Sequence, residues 1–387
     1  MLDALLPLPL LALLAGVCLA SAAGAAFIKR RLSGPALGWL LAAAPATAFG
    51  VSLAQALRLE ASPALTFSVP WLPTLDMAFS LYFDALSAFF AVLVTGIGTL
   101  VVFYAGYYFK GEPGAWRFQA YLLLFMTAML GVVTAGDVIT LFIFWEGTSL
   151  TSFLLVAYKD KDEAARRGAF KALFITGGGG IALLAGLLFM AHLAGGADFQ
   201  TILASGTWLR ASPLYPALLG LIAFGAFTKS AQFPAHIWLP DAMSAPTPAS
   251  AFLHSATMVK AGLYLMARLN PALGNTDLWF WLLSSFGLAT MLAGAYLGFK
   301  QNDLKAVLAY STISQLGVLM MLIGQDTEIA FKALVIGILA HALYKCALFL
   351  VAGIVDHAAW PAACGHLLPL ARWPRSPWPA CRRSSAS

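Results

Sequence analysis

Six ionisable side chains stand inside runs that otherwise carry almost no charge: Glu146, Lys229, His254, Lys260, His341 and Lys345. A carboxylate, three amines and two imidazoles are groups that take up and release protons. Burying them in apolar surroundings is costly. Such residues face a bundle interior or a water path by default, and they mark ion and proton routes. The chemistry they point to is the passing of charge from one side chain to the next.

Each of the six has a plainer explanation beside the functional one. Glu146, in LFIFWEGTSLTSF, is read as the carboxylate that helps decide whether a neighbouring buried lysine keeps its proton; the plain alternative is a structural counter-ion. Lys229, in GAFTKSAQFPAHIWLPDAM, is followed by Pro234 and Pro240. Proline removes a backbone donor and breaks a helix. A break at membrane depth is tolerated only where it lines protein or water, and transporters place such breaks at binding sites. The alternative is a helix end and a surface loop. His254 and Lys260 are six residues apart, about 600° of turn on a continuous helix, so they share no narrow face; Lys260 and Tyr264, four apart, do. His254 suits a proton relay near neutral pH, or is a satisfied core histidine. His341 and Lys345, in LAHALYKCALFLV, share one face at i,i+4 spacing. Lys305 lies near a span margin, where snorkelling to the interface accounts for it.

Other features carry less. The Gly177–Gly180 run lacks the lysine and the preceding strand of a phosphate loop, and helix packing explains it better. His192 and His236 lie near span ends and read as interfacial. No nucleotide, flavin, haem or iron–sulfur motif is present, and no cofactor or metal is expected. The four cysteines show no CxxC spacing, so neither a zinc site nor a disulfide framework is supported.

Elements that place these residues follow from composition. The chain has 387 residues, 60% hydrophobic and 10% charged, against about 25% charged in average soluble domains. A bilayer tolerates that surface, and about 20 apolar residues span one. The net charge of +6 comes from residues between apolar runs rather than from an aromatic-interleaved patch, which is a topology signal and speaks against nucleic acid.

The expected fold is all-α: a polytopic membrane helix bundle of about eleven transmembrane helices, near 2–27, 35–57, 79–108, 118–135, 137–158, 169–195, 214–232, 249–267, 278–299, 304–323 and 329–355. Helices are expected because lipid leaves open strand edges unsatisfied. The first span, which could be a signal peptide, has no basic residue before it and reads as a retained helix. With the N-terminus outside, inside loops hold twelve basic residues, among them Lys29, Arg30, Arg31, Lys159 and Lys161; outside loops and margins hold four: Arg58, Arg210, Arg268 and Lys332. That bias sets the orientation in an inner (plasma) membrane. From Trp360 the chain turns rich in Pro, Arg, Trp and Ser, and 358–387 reads as an irregular tail.

The runs DVITLFIFWEGTSLTSFLLVAY, FTKSAQFPAHIWLPDAMSAPTPASAFLHSATMVKAGLYLMARL, NDLKAVLAYSTISQLG and HALYKCALFLVAGIVDHA resemble the antiporter-like membrane subunits. These include the large A-type subunit of Mrp-type sodium/proton antiporters, subunit 5 of respiratory NADH dehydrogenase and membrane subunits of energy-converting hydrogenases. The resemblance covers roughly 75–357, and FWEGTSLTSFLL looks closest to the Mrp A-type subunit. It implies that Glu146 is the key carboxylate of the fifth helix, Lys229 the lysine of the broken seventh and Lys260 the central lysine of the eighth. His254, His341 and Lys345 would continue the polar axis. It also implies inverted five-helix repeats: N-terminal helices in 1–110, a first repeat in 118–267 and an incomplete second in 278–357, with Asp137 and Asp303 as a faint echo between them. The family pattern continues past its eleventh helix, so a truncated or frame-shifted end is one expectation for this chain.

The reading that follows is a subunit moving protons, and monovalent cations such as sodium, through an intramembrane Glu/Lys/His relay, with other membrane subunits and the lipid bilayer as partners. It is a transporter, not an enzyme in itself. Two alternatives stay open: a proton-pumping subunit of an NADH:quinone oxidoreductase or energy-converting hydrogenase, and a non-translocating assembly element.

Overall fold

A backbone that cannot bond to water closes its hydrogen bonds on itself, and nearly every apolar run does so here as a helix. The computed structural model describes residues 5–28, 34–72 and 77–364. Its elements are α1 (Leu8–Ile28), α2 (Gly34–Arg58), β1 (Leu65–Leu72), β2 (Met77–Phe83), α3 (Ala85–Tyr108), α4 (Ala115–Thr134), α5 (Val138–Val156), α6 (Glu163–Ala194), the short α7 (Phe199–Ala204) and α8 (Gly206–Ala211), α9 (Tyr215–Lys229), α10 (Trp238–Asp241), α11 (Thr247–Ser255), α12 (Met258–Leu273), α13 (Asp277–Phe299), α14 (Leu304–Gly324) and α15 (Glu328–Cys364). Eight of them, α2–α6 and α13–α15, are long and apolar enough to cross a membrane; Leu8–Ala22 and Tyr215–Lys229 are shorter apolar helices. The eleven expected spans correspond to α1–α6, α9, the α11–α12 pair and α13–α15.

Helix starts are chemically marked. Asp84, Asp137, Asp162 and Asp303 each cap a following helix by accepting a backbone N–H. A cap of this kind satisfies donors that have no partner within the helix.

Three expectations are corrected. The span expected from residue 79 begins as strand: MAFSLYF pairs antiparallel with β1, Leu65 facing Phe83 and Phe67 facing Leu81. Its period-two alternation is a strand signature, and it was hidden by the apolar helix that follows. The hairpin docks at the start of α5, where Gly136 N–H donates to Ser80 O (2.9 Å) and the Ser80 hydroxyl meets Asp137. The span expected over 249–267 is cut between Ser255 and Met258, where Thr257 donates its hydroxyl to Phe252 O (2.8 Å). A threonine taking a backbone acceptor competes with the helix ladder, so the 600° separation of His254 and Lys260 does not apply. The last helix runs to Cys364, past the expected change of character at 357–360. The rest of the tail, 365–387, lies outside the described residues.

The break after Lys229 is present as expected. The helix α9 stops at Lys229; 3₁₀ turns at Ala235–Ile237 and Ala242–Ser244 flank α10. Freed backbone groups are taken up locally. Phe233 N–H donates to Thr290 Oγ1 (2.9 Å), and Trp238 Nε1 donates to Thr228 O (2.9 Å). Packing runs inward: α4, α11 and α12 are the most enclosed helices, whereas α13 turns most of its surface outward.

Candidate functional site

Lys229 is fully buried as the last residue of α9. Its ammonium donates to Ser149 Oγ (2.7 Å) and Trp145 O (3.1 Å), and lies 5.2 Å from the Trp145 ring centroid. Both acceptors sit on one face of α5, a turn apart. Glu146 lies on the same helix, yet among the described residues it makes no direct ion pair with Lys229. Its carboxylate instead rests against α6, beside Gly177 and Gly180, and its Oε1 is buried without a hydrogen-bond partner.

Lys260, in the first turn of α12, is also fully buried, and its Nζ lies 3.0 Å from His341 Nδ1 on α15. With the ammonium donating, Nδ1 accepts and the ring proton falls on Nε2, which has no partner among the described residues. One turn on, Lys345 donates to Leu308 O (3.1 Å) and to the Ser311 hydroxyl, both on α14. His254 is buried between Trp238 and Phe349, each ring 6.3 Å away, and neither of its nitrogens has a hydrogen-bond partner among the described residues.

The fold thus gathers five of the six residues into two polar groups. One holds Glu146 and Lys229 on α5 and α9; the other holds Lys260, His341 and Lys345 on α12 and α15. His254 makes no polar contact with either. Lys305 stays at a margin, 3.3 Å from Asp356, as its snorkelling reading implies. His236, read as interfacial, is instead buried beneath the Phe233 ring within the broken segment.

Sequence reading missed Ser149 and Ser311, which seat two of the three lysines. Their signal was present in the Ser/Thr-rich spans, since i+3 and i+4 neighbours share a helix face. It also missed a buried ion pair. Arg268, counted as an outside margin residue, is 4% exposed and grips Asp84 with both terminal nitrogens (2.5 and 2.8 Å). The same guanidinium donates to Ser87 Oγ and Tyr264 Oη. At Asp84, before α3, burial pushes the carboxyl up, but the hydrogen bonds and charge of Arg268, with those from Ser87, hold it below the usual carboxylate range.

A family model described as "NADH:quinone oxidoreductase/Mrp antiporter, TM" matches residues 135–362, more than half of the chain and all six relay candidates. The chain belongs to this family. A second model, "NADH-Ubiquinone oxidoreductase (complex I), chain 5 N-terminus", matches residues 71–119. Among curated relatives, the chain is 45% identical over 322 residues to the probable A/B-type subunit of a K(+)/H(+) antiporter of Rhizobium meliloti, with 83% of this chain and 32% of the relative covered. It is 43% identical over 336 residues to the A-type subunit of a Na(+)/H(+) antiporter of Alkalihalophilus pseudofirmus, with 83% and 42% covered. A chain in the structure of the Mrp complex from Dietzia sp. superposes with a TM-score of 0.80 at 39% identity, over 89% of this chain and 38% of that one. The chain therefore spans less than half the length of these relatives.

Proposed function

We propose that this chain is a proton- and monovalent-cation-translocating membrane subunit of a multisubunit Mrp-type antiporter, working through Glu146, Lys229, Lys260, His254, His341 and Lys345. One observation carries the reading: the two fully buried lysines are held by neutral atoms only. Lys229 has a serine oxygen and a carbonyl; Lys260 has an imidazole nitrogen. A serine hydroxyl accepts from an ammonium and can turn to donate to an amine, and an imidazole can do the same by changing tautomer. Such partners accommodate both protonation states, which a fixed counter-ion would not.

The broken helix after Lys229 offers a movable element beside that ammonium. Similarity to large antiporter subunits of two bacteria favours antiport over a redox-driven pump, and the partners are then the other membrane subunits of such a complex. Two repeats fit the arrangement, one over 118–267 and the start of another over 278–357. Asp137 and Asp303 cap α5 and α14, and each of these helices offers a lysine a carbonyl and a serine oxygen. The basic-residue bias supports an N-terminus outside the plasma membrane.

The test is proton flux in inverted vesicles from cells carrying the complete complex. Lys229→Ala abolishes flux while assembly persists. Lys229→Arg fails as well, because arginine does not release its proton. Wild-type flux from Lys229→Arg would refute proton carriage by that side chain.

A further inference from the structure

The glycine run of α6 has no part in the relay as described, yet it touches both members of the Glu146–Lys229 group. A Cβ built on Gly180 would stand 1.9 Å from Glu146 Oε1, and one on Gly179 would stand 1.8 Å from Thr228 Oγ1. Thr228 immediately precedes Lys229. Across the same contact, a Cβ on Gly225 of α9 would meet Gly179 O at 2.8 Å. The run therefore does two things at once. It lets α9 approach α6 closely, which sets where Lys229 leaves its helix, and it leaves the space that the Glu146 carboxylate fills. Gly178, immediately before Gly179 and Gly180, has open space around it.

We propose that Gly179 and Gly180 are positioning residues that set the separation of Glu146 from Lys229, with Gly180 forming a seat that keeps the carboxylate off the ammonium. This rests on the relay reading above. Oε1 lies buried in that seat with no hydrogen-bond partner among the described residues, so the shape of the seat decides where that oxygen rests. On α5, position 146 is about 60° round the helix from Ser149 and about 100° from Trp145, the two residues that hold Lys229. A carboxylate expelled from the seat has that ammonium as its nearest opposite charge, so a methyl at 180 drives Glu146 toward Lys229 and locks the pair.

The experiment uses the complete complex in inverted vesicles and in detergent. Gly180→Ala lowers proton flux at least tenfold with normal assembly, while Gly178→Ala, the same change two residues away in open space, keeps wild-type flux. Flux from Gly180→Ala within twofold of Gly178→Ala overturns the proposal. A second arm measures the thermal midpoint of the purified complex, where no transport is involved. Any loss caused by Gly180→Ala disappears in a Glu146→Ala background, because the methyl then fills vacated space. A loss of equal, nonzero size in both backgrounds means that the glycine serves helix packing alone, and also overturns it; no loss in either, alongside the flux defect, supports a carboxylate merely moved. If Lys229→Ala retained flux, the relay reading would fail while the thermal arm still reported on the seat.

Discussion

Lysine ammonium groups cannot be left bare in an apolar interior, and the way each is accommodated decides what it can do. Ser149 gives Lys229 its shorter hydrogen bond. Ser149→Ala removes it and leaves the Trp145 carbonyl as the remaining acceptor. A hydrogen bond to a charged group contributes about 1.5–3 kcal/mol, so proton flux should fall by about tenfold or more while the complex still assembles. Unchanged flux in vesicles would mean that the serine is incidental. Arg268 and Asp84 are the opposite case, a fixed pair with no freedom to exchange. Removing one partner of a buried pair costs roughly 3–5 kcal/mol, and Asp84 is partly exposed, so Arg268→Ala should fall near the lower end, read as a lower thermal midpoint of the solubilised protein. Because the Asp84 carboxyl is held below its ordinary range in the folded state, its contribution is present above the unfolded carboxylate pKa. It is lost as pH falls through the lower folded value. Acid titration of the wild type should therefore show a stability loss that Asp84→Asn lacks.

Helices in this chain approach one another through missing side chains, and the tightest such approach to a backbone atom links two of the lysine-bearing helices. A Cβ on Gly262 of α12 would lie 2.1 Å from Ala226 O on α9. Backbone cannot swing aside as a side-chain tip does, so Gly262→Ala must move α9 against α12. Overpacking typically costs about 1–3 kcal/mol, and here the shift also displaces Lys229 relative to Lys260. The variant should show both a lowered thermal midpoint and a flux defect. A normal midpoint would show that the two helices have slack between them. The two helix breaks differ in legibility. Pro234 and Pro240 announce the first, since proline cannot continue the ladder. The second carries no glycine or proline at Ala256 and Thr257, and is marked only by a threonine hydroxyl that donates to Phe252 O. Threonine does not announce such a bond in sequence, because it equally sits within helices.

Across the whole molecule, three spans separate the loop at Lys161 from the turn at Asn275, so these exposed residues must lie on opposite faces of the membrane. With an N-terminus outside, a cysteine placed at Lys161 should react with an impermeant thiol reagent only in inverted vesicles, and one at Asn275 only in right-side-out cells. The reverse pattern would invert the assignment made from basic residues. The surface ion pair of Lys171 with Asp241 (2.7 Å) ties α6 to the broken segment. Exposed pairs contribute only about 0–1 kcal/mol, so Lys171→Ala should leave the thermal midpoint nearly unchanged.

Sequence alone determined the solvent, the helical class and the identities of the charged residues. Each of these follows from local composition: an apolar run long enough to span lipid has few other solutions, and an ionisable residue within it stands out by its cost. Resemblance to family motifs supplied the roles expected of them. Only the tertiary structure decided which groups meet. Lys260 finds His341, 81 residues away, and Lys229 finds Ser149, 80 residues away. Glu146, read from the sequence as tuning a neighbouring buried lysine, makes no direct ion pair with Lys229 among the described residues and rests beside Gly180 on α6. Arg268, which charge counting put at a margin, closes on Asp84, 184 residues distant. Spacing along a chain fixes which residues share a helix face, but the rotation and crossing of helices are set by packing many side chains at once. That sum cannot be read from any one segment.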